Sequence, residues 1–160
     1  MLIQYLKSFI EVITINIIEF LKSYWNTKVD NIEEFPVYNN EIQTALARFK
    51  PKYSEILDSN YMTSSLEKLK GMLALIPVKM QKYSAEHDCD NFAFEYMGIA
   101  KRMFPLLPVG YCHVKTAKGY HALNFLLYKE RDGGMINFTF IEPQTNKISN
   151  FDYKPYLMIL

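Results

Sequence analysis

Three side chains in the second half of the chain could together perform acyl chemistry: Cys89, His121 and Glu142. A thiol attacks a carbonyl carbon, an imidazole takes the proton and later returns it, and a carboxylate orients the ring. Cys89 falls in the predicted first turn of a helix, where unpaired N–H groups and the helix dipole lower a thiol pKa. Alternatively, Cys89 is a small apolar residue that completes the buried stripe of that helix.

The hairpin between two predicted strands decides whether His121 and Glu142 meet. An Asp-Gly pair at Asp132 and Gly133 favours a two-residue loop, which places Leu123 opposite Glu142. Glu142 then lies diagonal to His121 on one face, at about 7 Å between Cβ atoms. A four-residue loop would place the two directly opposite, and a three-residue loop would separate them onto different faces.

The remaining cysteine and histidines compete poorly for this chemistry. His87 precedes the helix and is expected near solvent, and His113 belongs to a strand that could be an edge. Cys112 is expected in the sheet interior, as a buried cysteine without a reactive role.

The order of elements predicts an α+β fold, with N-terminal helices followed by the nucleophile helix packed on a small antiparallel sheet. Polar residues at three- and four-residue steps predict an amphipathic helix over 1–25, and a polar, proline-containing connection over 26–40 leads to a domain over 41–160. Further predicted helical segments span 41–49, 54–57, 64–76 and 88–104. Predicted strands span 109–116, 120–129 and 135–142, and the second is apolar on both faces.

Composition excludes several classes of protein. Eighteen basic residues against seventeen acidic ones leave a net charge of +1, so the sequence has no basic field for nucleic acid. Two cysteines cannot form a disulfide framework, and no cluster of four ligands indicates structural zinc. A hydrophobic fraction of 49% excludes disorder as the main state.

Charges interrupt the apolar residues of the first segment, so we expect neither a transmembrane helix nor a signal peptide there. This places the protein in the cytoplasm or in a virion. The wide apolar face of the first helix is expected to pack on its own domain, on a second copy or on another protein partner. Its polar side is not rich in Lys or Arg, which disfavours membrane attachment.

The strings His87 to Ala93, Tyr120 to Asn124 and Ile141 to Gln144 resemble the Cys, His and acidic motifs of papain-like and transglutaminase-like cysteine peptidases. Within that superfamily, they are similar to bacterial transglutaminase-like cysteine proteinases, to the papain-like C-terminal domain of a fungal agglutinin and to small phage proteins. The resemblance covers 83–148 and implies a papain-like/transglutaminase-like core.

The resemblance also implies roles for individual residues. Cys89 would be the nucleophile, His121 the general base and then acid, and Glu142 the residue that fixes the ring. Gln81, with N–H groups at the helix start, would contribute to an oxyanion hole.

Several relatives bind calcium beside the nucleophile, and Asp88 and Asp90 occupy the matching positions here. Asn91 replaces an acid that is common in those relatives. The alternative is that Asp88 caps the helix and Asp90 is a solvated charge of the first turn.

These observations predict a thiol hydrolase that cleaves a peptide or isopeptide bond in a protein or peptide substrate through an acyl-enzyme intermediate. No cofactor is required for that chemistry, although calcium could bind. One alternative is a non-catalytic binding or assembly module that uses the same scaffold; the resemblance to small phage proteins adds phage origin as one form of this alternative. Another is an acyl transferase of the transglutaminase type, because one triad serves all acyl transfers.

Overall fold

The computed structural model describes residues 34–77, 83–84, 87–117, 119–149 and 153–160. These residues belong to one compact unit, Glu33–Leu160. The predicted helix over 1–25, most of the predicted connection over 26–40, and Gln81 lie outside the described residues.

The described residues form eight strands and three helices. The strands are β1 (Phe35–Val37), β2 (Tyr53–Glu55), β3 (Tyr61–Thr63), β4 (Val109–Thr116), β5 (Gly119–Tyr128), β6 (Asn137–Glu142), β7 (Lys147–Ser149) and β8 (Pro155–Ile159). The helices are α1 (Asn39–Ala47), α2 (Leu66–Leu73) and α3 (Cys89–Met103). None of the helices in this part of the chain is long and apolar enough to span a membrane.

Six strands form one mixed sheet in the order β2-β8-β4-β5-β6-β7, and β1 pairs with β3 in a separate two-stranded sheet. β2 runs parallel to β8, and the other neighbours in the large sheet are antiparallel. β5 is an interior strand, and Ala122 through Leu127 are all buried. Its apolar composition on both faces follows from this position.

The predicted fold class is wrong. Of the described residues, 35% are in strands and 28% in helices, and the sheet is six-stranded and mixed instead of small and antiparallel. Three strands also precede α3. These residues therefore do not form the helix-packed papain-like core. The reason is that β1, β2 and β3 have three residues each, which is too short for a period of two to be visible.

Two local predictions fail for related reasons. Residues 54–57 were expected to be helical, but Tyr53–Glu55 is an exposed edge strand whose pairing with β8 is set by distant residues. Strand β1 lies inside the expected connection, where Pro36 made the segment resemble a loop.

The longer elements agree with the predictions. α3 and β4 to β6 lie where periodicity placed them, within two residues at each end. The buried residues of α3 lie on one face of the helix: Phe92, Ala93, Tyr96, Ala100 and Met103.

The large sheet separates two apolar layers. On one face, Cys112, Leu123 and Met158 pack with residues of α1 and β3. On the other face, Tyr111, Ala122 and Leu126 pack against α3. The sheet therefore holds the N-terminus of α3 against the middle strands.

Candidate active site

The start of α3 is fixed by its own side chains. Asp88 is the N-cap, with extended backbone, and its Oδ1 accepts a hydrogen bond of 3.1 Å from the Asp90 N–H. Asn91 Oδ1 accepts in return from the Asp88 N–H at 3.2 Å. This reciprocal arrangement satisfies donors that a helix start leaves unpaired. It gives Asp88 a capping role and sets Cys89 as the first helical residue.

Cys89 is half-buried and packs against Ala93, Tyr111 and Ala122. The Ala122 N–H donates to its sulfur, and the thiol donates to Asp90 Oδ1 at 3.7 Å. Burial, together with the negative charges of Asp90 and Asp88, raises the pKa of the Cys89 thiol. The expectation of a lowered thiol pKa is therefore wrong, because burial and two carboxylates outweigh the helix start.

His121 and Glu142 are brought together. His121 Nε2 lies 2.7 Å from Glu142 Oε2, and the Gln144 N–H donates to the other carboxylate oxygen at 3.3 Å. This hydrogen bond with Glu142 is the main cause that raises the pKa of His121. An ionised carboxylate only accepts, so Nε2 carries the hydrogen and Nδ1 of the neutral ring is left with a lone pair.

The strand register behind this pair is the one expected for a two-residue loop. Asn124 pairs with Ile141 and Tyr128 with Asn137, so continuing the register sets Leu123 opposite Glu142. The pairing of β5 with β6 begins only at Asn124, and His121 therefore lies where the two strands have separated. Glu142 bridges that gap with its side chain.

Cys89 and His121 approach β5 at consecutive residues and from different sides. Alternation places His121 on the face of Leu123. Cys89 contacts Ala122, whose side chain points to the opposite face. The charge of Asp90 also contributes to the raised pKa of His121, so the ring lies within electrostatic reach of the helix start.

His113 is closer to this site than the sequence indicated. β4 lies between β8 and β5, so the expectation of an edge strand is wrong. His113 pairs directly with Ala122, its Nε2 lies 3.0 Å from Asp90 Oδ1, and it also hydrogen-bonds the Tyr111 hydroxyl. Asp90 is therefore not the simple solvated charge of the alternative interpretation.

Asn124 is a further residue that the sequence interpretation missed. It is fully buried in β5, and its Nδ2 donates to the carbonyls of Ala93 at 2.9 Å and Gly110 at 3.1 Å. These bonds tie the first half of α3 to the sheet. A polar residue inside an otherwise apolar strand was the available signal, because such a side chain needs a buried partner.

The other histidine and cysteine lie apart from this arrangement. His87 is partly buried, lies 3.6 Å from Glu95 and packs on the Phe92 ring. Cys112 is fully buried, as expected, and burial raises the pKa of its thiol.

The acidic residues offer an incomplete set of calcium ligands. Asp88, Cys89 and Asp90 place one ligand atom each within 4.8 Å of one another. Calcium prefers six to eight oxygens, whereas one oxygen of Asp88 caps the helix and one oxygen of Asp90 binds His113. These residues therefore do not fit a resident calcium ion without rearrangement.

The described unit is thus a β-rich domain in which a thiol, two imidazoles and several carboxylates gather where α3 meets β4 to β6. No protein-family model and no curated protein matches the chain. Among solved structures, the chain is similar to a "PSL1a-E64 complex", with 23% sequence identity and a TM-score of 0.63 over 79% of this chain and 51% of the other.

A second similar structure is the lectin of Polyporus squamosus bound to a human-type influenza-binding epitope, Neu5Aca2-6Galb1-4GlcNAc. It shows 23% identity and a TM-score of 0.59 over 79% of this chain and 50% of the other. The chain therefore spans about half the length of both. At this level of identity the likeness concerns the fold.

Proposed function

We propose that Cys89, His121 and Glu142 form a thiol hydrolase site that cleaves peptide or isopeptide bonds through an acyl-enzyme intermediate. The observation that carries the proposal is the 2.7 Å bond between His121 Nε2 and Glu142, which leaves Nδ1 as a proton acceptor. The thiol contacts the backbone of the next residue, Ala122. The resemblance of the three motifs to those of cysteine peptidases supports the same function.

In the proposed reaction, the proton of Cys89 passes to Nδ1 of His121 through the gap where β5 and β6 have separated, because the two side chains start from opposite faces of β5. The sulfur then attacks the substrate carbonyl carbon. The tetrahedral intermediate expels the amine, which takes the proton from the imidazolium, and a thioester remains on Cys89. Water then attacks the thioester with His121 as base, releasing the acid and restoring the thiol. Glu142 holds the ring and stabilises its charged form. An amine in place of water would give acyl transfer.

The raised pKa of the Cys89 thiol means that little thiolate is present in the resting protein. The raised pKa of His121 favours the imidazolium that forms when the thiol proton is transferred. We therefore propose that the thiol proton is transferred when substrate binds and displaces water from the partly exposed pair of His121 and Glu142.

E64, an epoxide that alkylates reactive thiols, tests the hydrolase directly. Intact-mass measurement should show one adduct on the protein and none on Cys89→Ala, while His121→Asn should slow the adduct formation at least tenfold. Cys112→Ala is the matched control, because that thiol is buried, and it should react like the wild type. Equal labelling of Cys89→Ala and wild type would contradict the thiol site.

A second candidate is a binding module without turnover, whose ligand is a sialylated glycan. The solved structures favour this candidate over the hydrolase, because one of them is a lectin bound to a sialylated epitope. The 2.7 Å bond between His121 and Glu142 favours the hydrolase instead. The raised pKa of the Cys89 thiol also fits a site that does not turn over.

Calorimetric titration with Neu5Acα2-6Galβ1-4GlcNAc and with Galβ1-4GlcNAc separates the two candidates. The binding module predicts binding of the sialylated trisaccharide alone, unchanged in Cys89→Ala, together with no E64 adduct. An E64 adduct without glycan binding supports the hydrolase. Glycan binding together with an E64 adduct would assign both activities to this chain, and neither result would overturn both candidates.

A further inference from the structure

A second imidazole lies on the same side of the sheet as the Cys89 thiol. His113 is directly opposite Ala122 in the pairing of β4 with β5, and Cys89 packs against Ala122 and Tyr111. Directly paired residues share a face. His113 therefore faces α3, whereas alternation along β5 places His121 on the opposite face.

Asp90 connects this imidazole to the thiol through a single atom. Its Oδ1 accepts the hydrogen bond from Cys89, with 3.7 Å between sulfur and oxygen, and lies 3.0 Å from His113 Nε2. Because an ionised carboxylate only accepts, Nε2 of His113 directs a hydrogen at Asp90. The thiol and the ring thus share one acceptor oxygen.

The Nε2 nitrogen of the His113 ring has a second partner beside Asp90. The Tyr111 hydroxyl hydrogen-bonds it, and the Tyr111 ring stacks on Phe94 of α3, with 4.2 Å between ring centroids and 12° between planes. Tyr111 itself is almost fully buried. The side chain of His113 is partly exposed, with 28% of its surface accessible.

We infer that His113 is a positioning residue for Cys89, acting through Asp90. By donating to the shared oxygen, His113 weakens the hydrogen bond by which Asp90 holds the proton on sulfur, and so makes the thiol more reactive. The inference rests on the proposed thiol function and adds a residue outside the Cys89, His121 and Glu142 set.

The test measures the rate at which iodoacetamide alkylates Cys89 in the full chain, by mass spectrometry of the Cys89 peptide, with EDTA present so that no bound cation contributes. His113→Phe should slow alkylation about five- to tenfold, because Asp90 then holds the thiol alone. His113→Gln retains a donor and should stay within twofold of the wild type. Asp90→Asn should react faster than the wild type.

The double variant His113→Phe with Asp90→Asn isolates the connection between the two residues. If His113 acts through Asp90, adding His113→Phe to Asp90→Asn changes nothing. His87→Asn is the matched control, because His87 pairs with Glu95 instead of Asp90. It should alkylate like the wild type.

The inference is overturned if His113→Phe leaves the alkylation rate unchanged. It is also overturned if His113→Phe slows alkylation equally in the wild type and in Asp90→Asn. Should His113→Phe fail to melt cooperatively, Asp90→Asn decides alone, and a rate no higher than the wild type contradicts the inference. A wild-type Cys89 that reacts no faster than the buried Cys112 would instead contradict the proposed thiol function. The two failures are therefore distinguishable.

Discussion

At the scale of single residues, His121 and Glu142 couple the candidate site to pH. Glu142 raises the pKa of His121 in the folded chain above its unfolded value. The stabilisation from this pair is therefore fully present below the unfolded pKa of histidine and is lost as pH rises through the folded pKa. A partly exposed pair of this kind contributes up to about 1 kcal/mol.

Glu142→Gln should consequently lower the free energy of unfolding more at acidic than at alkaline pH. We expect the largest difference from wild type near pH 6, shrinking as His121 becomes neutral in both forms, in urea titrations at several pH values. In His121→Asn, which lacks this titrating group, the free energy of unfolding should vary less with pH. A difference that grows with pH would contradict the assignment.

At the scale of elements, the position of α3 depends on Asn124. Asn124→Ala removes the donors to the Ala93 and Gly110 carbonyls, both covered by the helix–sheet contact. Both carbonyls keep their backbone partners in α3 and β4, so the cost is the loss of two side-chain hydrogen bonds, about 1–3 kcal/mol in total. We expect a loss in this range by chemical denaturation, whereas Asn137→Ala, at the start of β6, should stay within about 0.5 kcal/mol of wild type. Equal losses of stability in Asn124→Ala and Asn137→Ala would contradict this role of Asn124.

Gly110 sets the spacing between β4 and its neighbours. A Cβ there would overlap the Phe125 ring and come within 2.5 Å of the Ile159 carbonyl oxygen. Gly110→Ala should therefore destabilise the fold by about 1–3 kcal/mol, since overpacking must displace a ring or a strand. Gly98→Ala is the control, because a Cβ at Gly98 meets nothing within 4 Å, and a helical alanine should be neutral or stabilising.

Sequence periodicity was sufficient for the elements that bury a regular face over many residues. α3 has four turns of a consistent stripe, and β5 has an uninterrupted apolar run, so both were located correctly. The contact of His121 with Glu142 followed from turn chemistry and the period of two. These are local rules, and they hold where the chain itself fixes the register.

Features set by partners distant in sequence escaped prediction. β2 is exposed along its length and is a strand only because β8, about a hundred residues later, supplies its hydrogen bonds. The interior position of β4, and therefore the position of His113 beside Asp90, likewise depends on β8. The raised pKa of the Cys89 thiol depends on burial by other elements, which its place in the helix does not indicate.

At the scale of the whole molecule, the incomplete ligand set around Asp88 and Asp90 bears on calcium dependence. An ion that binds only the folded state raises the melting temperature with its concentration. Because the helix cap and His113 occupy these carboxylates, we expect melting in 1 mM CaCl2 and in 1 mM EDTA to agree within about 1 °C. A rise of several degrees that Asp90→Asn abolishes would establish a calcium site.

Within the described residues, the large sheet ends on both sides in strands of three residues, β2 and β7. A long, flat edge strand exposes a row of unpaired backbone N–H and C=O groups, with which strands of other chains can pair. A short edge strand offers few such groups. The short edge strands therefore disfavour association of the domain into fibrils. Concentrated solutions should stay clear and bind little thioflavin T, even though strands outnumber helices among the described residues.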